Sequence, residues 1–418
     1  MSCNNCFMYI SKFLVRHSIL ILAFAISLAS CSNKKVLQST TVSNEVVWQY
    51  SNHLYGLENN IKNKFTINDF FISRVGGSLS FPLISYPIIG KDYIIVMDHN
   101  GVVARINNIT KAIDWKHISN QKFHFFGDYL NGGLSQKEEK IYVTYGTNLI
   151  NCIDSRTGNL VWSKTLQEVV RAYPMVSRDT IFLQTLNNGI YALNTENGNV
   201  IWYKAGQEKD VNVVNVISPV LYPHKDWLIT QGSTGNLIVI NSKTGFEEWS
   251  IDNDDSMYFD MSDTHLAGEK AIIYQPIIVN DDLYFYSSNG YFYKLSLHNK
   301  STIWKVKLNI NRPFYVLNNI IMVIDEAANL RAIKTNNGSE MWKIKLNDYL
   351  EAKEKRKTRY WNSPVIINEN VYILSSKGEL LNFDLYSGKF IKATYNMGYG
   401  SYIPPIYADN KAFIISAK

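Results

Sequence analysis

The sequence predicts an all-β protein, an eight-bladed β-propeller of four-stranded antiparallel blades in a ring closed by joining the N- and C-terminal strands. Three observations support this prediction. A phrase ending in tryptophan recurs roughly every forty to fifty residues. Short apolar alternating runs, typical of strands, fill the space between its copies. The two ends of the chain hold complementary pieces of one further unit.

The recurring phrase places a glycine four residues before a tryptophan, as in Thr157-Gly158-Asn159-Leu160-Val161-Trp162. The units close at Trp115, Trp162, Trp202, Trp249, Trp304, Trp342 and, in a degenerate seventh, near Phe390. The turn position is held by Gly158, Gly198, Gly245 and Gly338, and glycine adopts positive φ there at little cost. Lys111 and Lys300 hold this position in two weaker units, for which we expect longer or looser turns.

Within a unit, the apolar runs are short and separated by turn residues. The third unit has runs at 172–176, 180–184 and 189–194, and then the strand that carries Trp202. Four short strands joined by tight turns predict an antiparallel sheet. A flat indole ring buries much apolar area between neighbouring sheets, and its N–H can reach a loop carbonyl. We therefore expect the tryptophans to have a structural role between blades.

The ends of the chain predict how the ring closes. Residues 402–406 and 412–416 begin another unit but lack its tryptophan strand, whereas residues 45–50 supply a strand with Trp48 and no preceding unit. Joining the two gives an eighth blade and removes the free sheet edges. Trp48 then belongs with the inter-blade tryptophans. A seven-bladed ring, in which residues 81–115 are interpreted differently, is the alternative.

Composition agrees with a folded chain and gives little support to nucleic-acid binding. The 418 residues include 27 Tyr, 19 Phe and 9 Trp against 10 Pro, and the net charge is only +6. Positive charge is concentrated in residues 351–359. This stretch is interpreted as a solvated loop or short helix between repeats, with contact to anionic headgroups or an acidic partner as the alternative.

The N-terminus has the pattern of an export signal. Lys12, Arg16 and His17 precede an apolar run at 19–28 that is too short to span a bilayer comfortably. Leu28-Ala29-Ser30-Cys31 resembles the bacterial lipobox, which implies a diacylglycerol on the Cys31 thiol and an acyl chain such as palmitate on its amine. Ser32 resembles the residue that follows the cysteine in lipoproteins sent to the outer membrane. An ordinary secretory signal is the alternative, and Met8 is a second possible start.

These signals divide the chain into a lipoprotein signal peptide at 1–30, a flexible tether at 31–44 and the propeller at 45–418. Cys3 and Cys6 leave with the signal, and acylation blocks Cys31, so Cys152 has no disulfide partner. Cys152 occupies the place that alanine holds in other repeats. We interpret it as a small packing residue, with a reactive thiol as the alternative.

The repeats resemble the quinoprotein-type, or PQQ-like, β-propeller family over residues 45 to 418. Residues 189–194 are similar to its G-x-L-x-A-L-D segment, and residues 157–162 to its T-G-x-x-x-W segment. Together with the lipobox, the chain resembles the BamB-like lipoproteins of outer-membrane β-barrel assembly. That resemblance implies a scaffold on the periplasmic face of the outer membrane, held by its lipid anchor. Its implied partners are the BamA-like barrel-inserting subunit, other members of the assembly complex and unfolded outer-membrane proteins.

The resemblance also implies where a partner binds, on the loops that lead into the blades beginning at Pro219 and Pro276. The apolar positions before Pro219 fall on Val211 and Val213, but the expected arginine is Val214. The two aspartate positions before Pro276 hold Ala271 and Ile273, so the match fails there. The same loop is acidic further upstream, and we take Asp260 and Asp263 as partner-binding candidates, with a merely solvated loop as the alternative.

No catalytic motif accompanies the fold. The sequence lacks the adjacent cysteine pair of pyrroloquinoline-quinone enzymes, and its eight histidines show no metal-ligand spacing. Residues 252–255 begin like a calcium loop but lack its glycine and its closing glutamate. We therefore expect no enzyme activity, no cofactor and no metal. A quinone-dependent oxidoreductase or a ligand-binding periplasmic propeller is the alternative.

Overall fold

The computed structural model describes most of the repeat region and two strands near the N-terminus. The described residues are 37–41, 66–70, 85–98, 101–110, 112–119, 132–206, 217–233, 235–251, 272, 274–317, 319–350, 359–367, 369–394, 404, 406–408 and 411–415. They form eight four-stranded antiparallel sheets, and the predicted all-β propeller of four-stranded antiparallel blades is confirmed. Two short 3-10 helices, Pro223–Lys225 and Leu346–Tyr349, complete the regular structure of these residues.

Blades 1 to 4 follow one another along the chain, each with its strands in sequence order. Blade 1 contains β3 (Ile88–Ile89), β4 (Tyr93–Met97), β5 (Val103–Asn107) and β6 (Ile113–His117). Blade 2 contains β7 (Gly133–Lys137), β8 (Lys140–Thr144), β9 (Leu149–Asp154) and β10 (Leu160–Thr165). Blade 3 contains β11 (Met175–Ser177), β12 (Thr180–Gln184), β13 (Ile190–Asn194) and β14 (Val200–Lys204). Blade 4 contains β15 (Val220–Tyr222), β16 (Trp227–Gln231), β17 (Leu237–Asn241) and β18 (Glu247–Ile251).

Blades 5 to 7 repeat this plan. Blade 5 contains β19 (Ile277–Val279), β20 (Asp282–Ser287), β21 (Tyr291–Ser296) and β22 (Ser301–Lys307). Blade 6 contains β23 (Tyr315–Leu317), β24 (Ile320–Ile324), β25 (Asn329–Lys334) and β26 (Glu340–Lys345). Blade 7 contains β27 (Val365–Ile367), β28 (Asn370–Leu374), β29 (Leu380–Asp384) and β30 (Phe390–Thr394).

Blade 8 joins the two ends of the chain. It contains β1 (Leu37–Thr41), β2 (Thr66–Phe70), β31 (Ile406–Ala408) and β32 (Lys411–Ile415), in the order β2-β1-β32-β31. The predicted closure by N- and C-terminal strands is therefore present, but the strand that pairs with β32 is β1, within the range expected to be a tether. The expectation that residues 45–50 pair there is corrected, and Trp48 itself lies outside the described residues.

Every blade from 1 to 7 has a bulge where its fourth strand pairs with its third. In blade 3, Ala192 pairs with Trp202, and Leu193 pairs with Val200, so one residue of the outer strand has no paired residue on the third strand. The same shift occurs in the other six blades. A bulge increases the local twist of the strand pair, and its extra residue directly precedes the tryptophan position of each of these blades.

Apolar cores fill the spaces between consecutive blades rather than one central space. Six such cores join blades 1 to 7 in chain order. Between blades 5 and 6, for example, the rings of Phe292 and Phe314 meet edge to face with centroids 4.7 Å apart, and both are buried. Each blade is therefore held by its neighbours, as in repeat proteins generally. Among the described residues, no helix is long and apolar enough to cross a membrane.

Candidate functional site

Each blade has two ends, and one of them carries all the connections between blades. In a four-stranded antiparallel sheet, the turn between strands 2 and 3 lies at the same end as the segment that leads to the next blade. The turns between strands 1 and 2 and between strands 3 and 4 lie at the opposite end. We call the first the connection end and the second the turn end. The partner-binding candidates fall on connections, so the site belongs to the connection end.

The structure brings together the bases of the two connections that carry these candidates. The Ser218 backbone N–H donates to Gln275 Oε1 at 3.1 Å, and Gln275 Nε2 donates to the Ser218 carbonyl at 2.9 Å. Ser218 Oγ also donates to the Tyr173 carbonyl at the entry to blade 3. Ser218 and Gln275 directly precede Pro219 and Pro276. The entries to blades 4 and 5 are thus paired side by side at the connection end.

A second link lies beside the first. The Ile272 backbone N–H donates to Gln231 Oε1 at 2.6 Å, and Gln184 Nε2 donates to the Gln231 carbonyl, also at 2.6 Å. Gln184 and Gln231 end the second strands of blades 3 and 4, and both are buried. Buried amide groups that are paired in this way rigidify their surroundings. The three blades therefore form one fixed base beneath the two connections.

The candidate side chains themselves are not described. Val211 and Val213 lie between β14 and β15, and Asp260 and Asp263 lie between β18 and β19, all outside the described residues. Cys31, the proposed lipidation site, is also outside them. Their roles stay predictions. Sequence reasoning missed Ser218, Gln231 and Gln275, although a residue before a strand-opening proline is a signal that could have pointed to two of them.

The predicted inter-blade role of the tryptophans is visible at the turn end. Five indole N–H groups donate to a backbone carbonyl of the next blade: Trp115 to Ser155 at 3.1 Å, Trp162 to Thr195 at 3.0 Å, Trp202 to Ser242 at 3.1 Å, Trp304 to Thr335 at 3.0 Å and Trp342 to Leu385 at 3.0 Å. Each ring lies on the turn glycine of that next blade, with Gly388 joining Gly158, Gly198, Gly245 and Gly338. All five glycines have positive φ.

Two details of the turns differ from expectation. Lys300 takes the glycine position of blade 5 with φ of 54° in a turn as short as the others, so the expected longer turn is wrong there. Lys111 lies outside the described residues. In blade 7, Lys392 pairs with Asn382 at the tryptophan position. Phe390 stands two residues earlier, where it packs on Tyr349 and Phe383.

The described residues show no prepared nucleophile or metal centre. Cys152 is fully buried, and burial raises the pKa of its thiol to about 12, so it packs against blade 3 as expected. Desolvation likewise raises the pKa of Tyr86 and of Tyr173 above the ordinary value for a phenol, so burial does not activate either side chain as a nucleophile. No group of three or more His, Cys, Asp or Glu side chains in the described part of the chain is arranged to hold a metal ion.

We call the boundary between two consecutive blades a seam. The fold and the seams together define a PQQ-like repeat propeller, with tryptophan and glycine in contact at each regular seam. The family model described as outer membrane protein assembly factor BamB matches residues 99–344, more than half of the chain. The chain belongs to this family.

Individual relatives agree with this membership. An uncharacterised protein of Rickettsia prowazekii is 24% identical over 88% of this chain and 89% of its own length. Outer membrane protein assembly factor BamB of Shewanella oneidensis is 18% identical over 69% of each chain.

Solved structures show the same fold. BamB from Moraxella catarrhalis superposes with a TM-score of 0.63 and 17% identity, covering 79% of this chain and 96% of that one. Quinohemoprotein alcohol dehydrogenase from Comamonas testosteroni gives a TM-score of 0.59 and 11% identity over 78% of this chain and 68% of its own. The fold is thus shared by an assembly factor and an enzyme, and function has to be argued from residues.

Proposed function

We propose that this protein is a non-catalytic scaffold lipoprotein of outer-membrane β-barrel assembly. It binds the BamA-like barrel-inserting subunit, associates with the other members of the complex and helps present unfolded outer-membrane proteins. Membership of the BamB family supports the class of function. The observation that supports the site is the pairing of Ser218 with Gln275, because these two residues directly precede Pro219 and Pro276, where the two candidate connections lead into their blades.

This pairing matters because a scaffold site needs two segments to act as one surface. A fixed base reduces the conformational entropy that is lost when the segments bind a partner. Apolar Val211 and Val213 on one connection and acidic Asp260 and Asp263 on the other then offer an apolar anchor beside a charged rim, a common arrangement at protein interfaces. A partner for this surface should carry an apolar patch next to basic residues.

The interaction is tested by affinity purification of a C-terminally tagged chain from detergent-solubilised membranes, with the barrel-inserting subunit measured directly. We expect its recovery from the native chain and a large loss with Val213→Asp or with Asp260→Lys and Asp263→Lys together. The control is Glu196→Lys, a charge reversal at the turn end, where an exposed ion pair with Lys140 contributes little. Loss with Glu196→Lys alone would refute the site, and failure to recover the subunit at mild salt would refute the scaffold role.

The anchor is the second part of the proposal. Two or three acyl chains on Cys31 give stable membrane attachment, whereas a single chain holds only marginally. The proposal places the mature protein on the periplasmic face of the outer membrane. Palmitate labelling and membrane fractionation test it: the native chain should be labelled and float with the outer membrane. Cys31→Ser should abolish both, and retention of label in that variant would contradict the assignment.

A quinone-dependent oxidoreductase is the competing function for this fold. The sequence has no adjacent cysteines, and the described residues offer no metal-ligand cluster. Reconstitution with quinone and calcium, followed by a dye-linked activity assay, separates the two functions. Saturable binding together with turnover would establish the enzyme and displace the scaffold proposal.

A further inference from the structure

The lipid anchor and the first strand are very close in sequence, and this limits how the propeller can sit on a membrane. Only residues 32–36 separate Cys31 from β1. A fully extended chain spans at most about 3.5 Å per residue, so the linker of residues 32–36, which we call the leash, reaches about 20 Å. The headgroup layer uses about 6 Å of that distance. Blade 8 is therefore held close to the lipid surface.

The register of blade 8 shows at which end the leash arrives. Leu37 pairs with Ile415, and Thr41 pairs with Lys411. Ile415 ends the second strand of its blade, which is the connection end, whereas Lys411 starts that strand at the turn end. The leash thus joins blade 8 at the connection end. In a ring of eight blades, blade 4 lies opposite blade 8, so blades 3 to 5 are the ones farthest from the anchor.

We propose that the connection end of blades 7 and 8 rests on the headgroups of an anionic lipid bilayer, with blades 3 to 5 turned away from it. This inference rests on the proposed acylation of Cys31. It also explains where the connections proposed to bind a partner lie. In this orientation they are a ring diameter away from the membrane and remain accessible in the periplasm.

Blade 7 carries side chains that suit such a surface. Tyr360 is 56% exposed at the entry to the blade, and the Arg312 guanidinium lies 5.5 Å from the centre of its ring. Tyrosine rings favour the membrane interface, where one end is apolar and the other is hydrated. Lys377 lies on the turn between β28 and β29, at the same end. A cation near an anionic surface strengthens binding to that surface.

These side chains are fixed in place rather than loosely displayed. The Tyr360 backbone N–H donates to Ser376 Oγ at 3.0 Å, and the Ser376 backbone N–H donates to the Tyr360 carbonyl at 2.8 Å. Arg312 Nε donates to the Trp361 carbonyl at 2.7 Å. The corresponding turns of blades 3 and 5, residues 185–189 and 287–290, contain no charged residue. The Glu379 carboxylate on the turn of blade 7 is buried in an ion pair with Arg359, which leaves Lys377 as the exposed charge of that turn. This cation and the exposed ring of Tyr360 thus lie on a blade beside the leash.

Single fluorescent labels test this orientation in the full lipidated protein, reconstituted into phosphatidylethanolamine and phosphatidylglycerol vesicles that contain a quencher lipid. The chain suits such labelling because Cys31 is acylated and Cys152 is buried with its pKa raised to about 12. Labels are placed in Lys377→Cys, in Asn187→Cys at the connection end of blade 3, and in Ser387→Cys at the turn end of blade 7.

We expect quenching at position 377 to exceed that at positions 187 and 387 several-fold. Equal quenching at 187 and 377 would mean that the whole connection end lies flat, and stronger quenching at 387 would mean the opposite orientation. Either result overturns the proposal. Flotation of each labelled protein with the vesicles is measured in parallel. Loss of flotation would refute the lipid anchor itself. This outcome is distinct from the two quenching patterns that overturn the orientation, because in those the protein still floats with the vesicles.

A second variant tests the leash. Inserting about 20 glycine and serine residues between Asn33 and Lys34 raises the average reach of the leash from about 12 Å to about 27 Å. Flotation should be unchanged, while quenching at position 377 should fall towards that at position 187. Unchanged quenching at 377 in this variant would contradict the leash as the cause of the orientation.

Discussion

The seam between blades 4 and 5 differs from the other five tryptophan seams. At those five, the indole N–H donates to a carbonyl of the next blade, as Trp162 does to Thr195 at 3.0 Å. At the fourth, Trp249 Nε1 is buried and has no acceptor among the described residues. The equivalent carbonyl belongs to Leu297, whose N–H makes the same backbone bond as that of Thr335.

The glycine position explains the difference. A Cβ added to Gly198 would lie 2.7 Å from the Trp162 ring, and one added to Gly245 would lie 2.8 Å from Trp202. Lys300 has such a Cβ, so the Trp249 ring cannot take the regular position. It meets Trp227 edge to face instead, with centroids 5.5 Å apart. The Lys300 ammonium lies 5.7 Å from the centre of the Trp249 ring.

The comparison shows that the tryptophan and the glycine of the next blade act as one unit. Where the glycine is replaced, the tryptophan about fifty residues earlier in the chain does not form its hydrogen bond. The edge-to-face contact between Trp227 and Trp249 lies within blade 4. Across the fourth seam, the cation–π contact of Lys300 with the Trp249 ring takes the place of the hydrogen bond and contributes about 0.5 to 1 kcal/mol. This seam also lies beneath the two connections proposed to bind a partner, at the opposite end of the same blades.

The strongest way to break a regular seam is Gly198→Ala. The change forces a Cβ into a left-handed conformation with φ of 69° and into the Trp162 ring. Backbone strain and overpacking together should lower the free energy of unfolding by about 3 kcal/mol. Urea unfolding followed by tryptophan fluorescence measures it. Gly146→Ala is the control, since Gly146 has φ of 72° and does not support a tryptophan. Equal losses in the two variants would show that ring contact is irrelevant.

Replacing tryptophan by phenylalanine should cost more at a regular seam than at the fourth. Trp162→Phe removes the donor to the Thr195 carbonyl, whereas Trp249→Phe removes an N–H that has no acceptor among the described residues. The two variants lose similar apolar area, so the difference isolates the hydrogen bond, about 1 kcal/mol. Paired urea titrations measure it. The interpretation of the fourth seam fails if Trp249→Phe is the more destabilising change.

Restoring the glycine should repair the fourth seam. Lys300→Gly removes the left-handed strain and lets the Trp249 N–H approach the Leu297 carbonyl. Loss of the cation–π contact and a more flexible unfolded chain oppose these gains. We expect a net stabilisation of about 0.5 kcal/mol.

Lys300→Ala is the matched variant, because it keeps the Cβ and loses the charge. It should be slightly destabilising, measured by the same unfolding assay. A shift of tryptophan emission in Lys300→Gly that is missing in Lys300→Ala would report movement of the Trp249 ring. If both variants change stability in the same direction by the same amount, the Cβ is not the cause of the missing bond.

Sequence spacing predicted the blades well and their closure only in part. The interval from glycine to tryptophan is local, so spacing alone assigns the tryptophans from Trp115 to Trp342 to outer strands. The residues of β1 and β2 are mostly polar and show no clear alternation. Their pairing depends on the partner strand, which periodicity does not reveal. For that reason the sequence favoured the strand around Trp48 instead of Leu37–Thr41.

The site was less predictable than the fold because its base depends on contacts distant in sequence. Ser218 and Gln275 are 57 positions apart, and neither belongs to a motif. Their pairing follows from the ring, which brings consecutive connections to one end. The unpaired indole of Trp249 follows from the same kind of long-range contact. The substitution of Lys300 for glycine was visible in the sequence, but its effect on a tryptophan of the preceding blade was not.

The seam between blades 1 and 2 should respond to pH, while the fourth should not. His117 Nδ1 donates to the Gly158 carbonyl at 3.1 Å, and its Nε2 is buried without a partner among the described residues. Desolvation lowers the pKa of His117, and the bond to Gly158 opposes this only in part. The unfolded chain therefore takes up the proton first as the pH falls below about 6.5, and stability declines from there to the folded pKa.

The effect should be the smallest of the four, below about 0.5 kcal/mol, because the His117 ring is only partly buried and solvent screens its charge. Urea midpoints at pH 7.5 and pH 5.5 measure the loss. His117→Gln, which can still donate to Gly158 but does not titrate, should reduce the difference between the two pH values. His298→Gln, at an exposed position on the turn of the fourth seam, is the matched histidine control and should leave the difference unchanged. A larger effect of His298→Gln than of His117→Gln would place the pH sensitivity at the fourth seam instead.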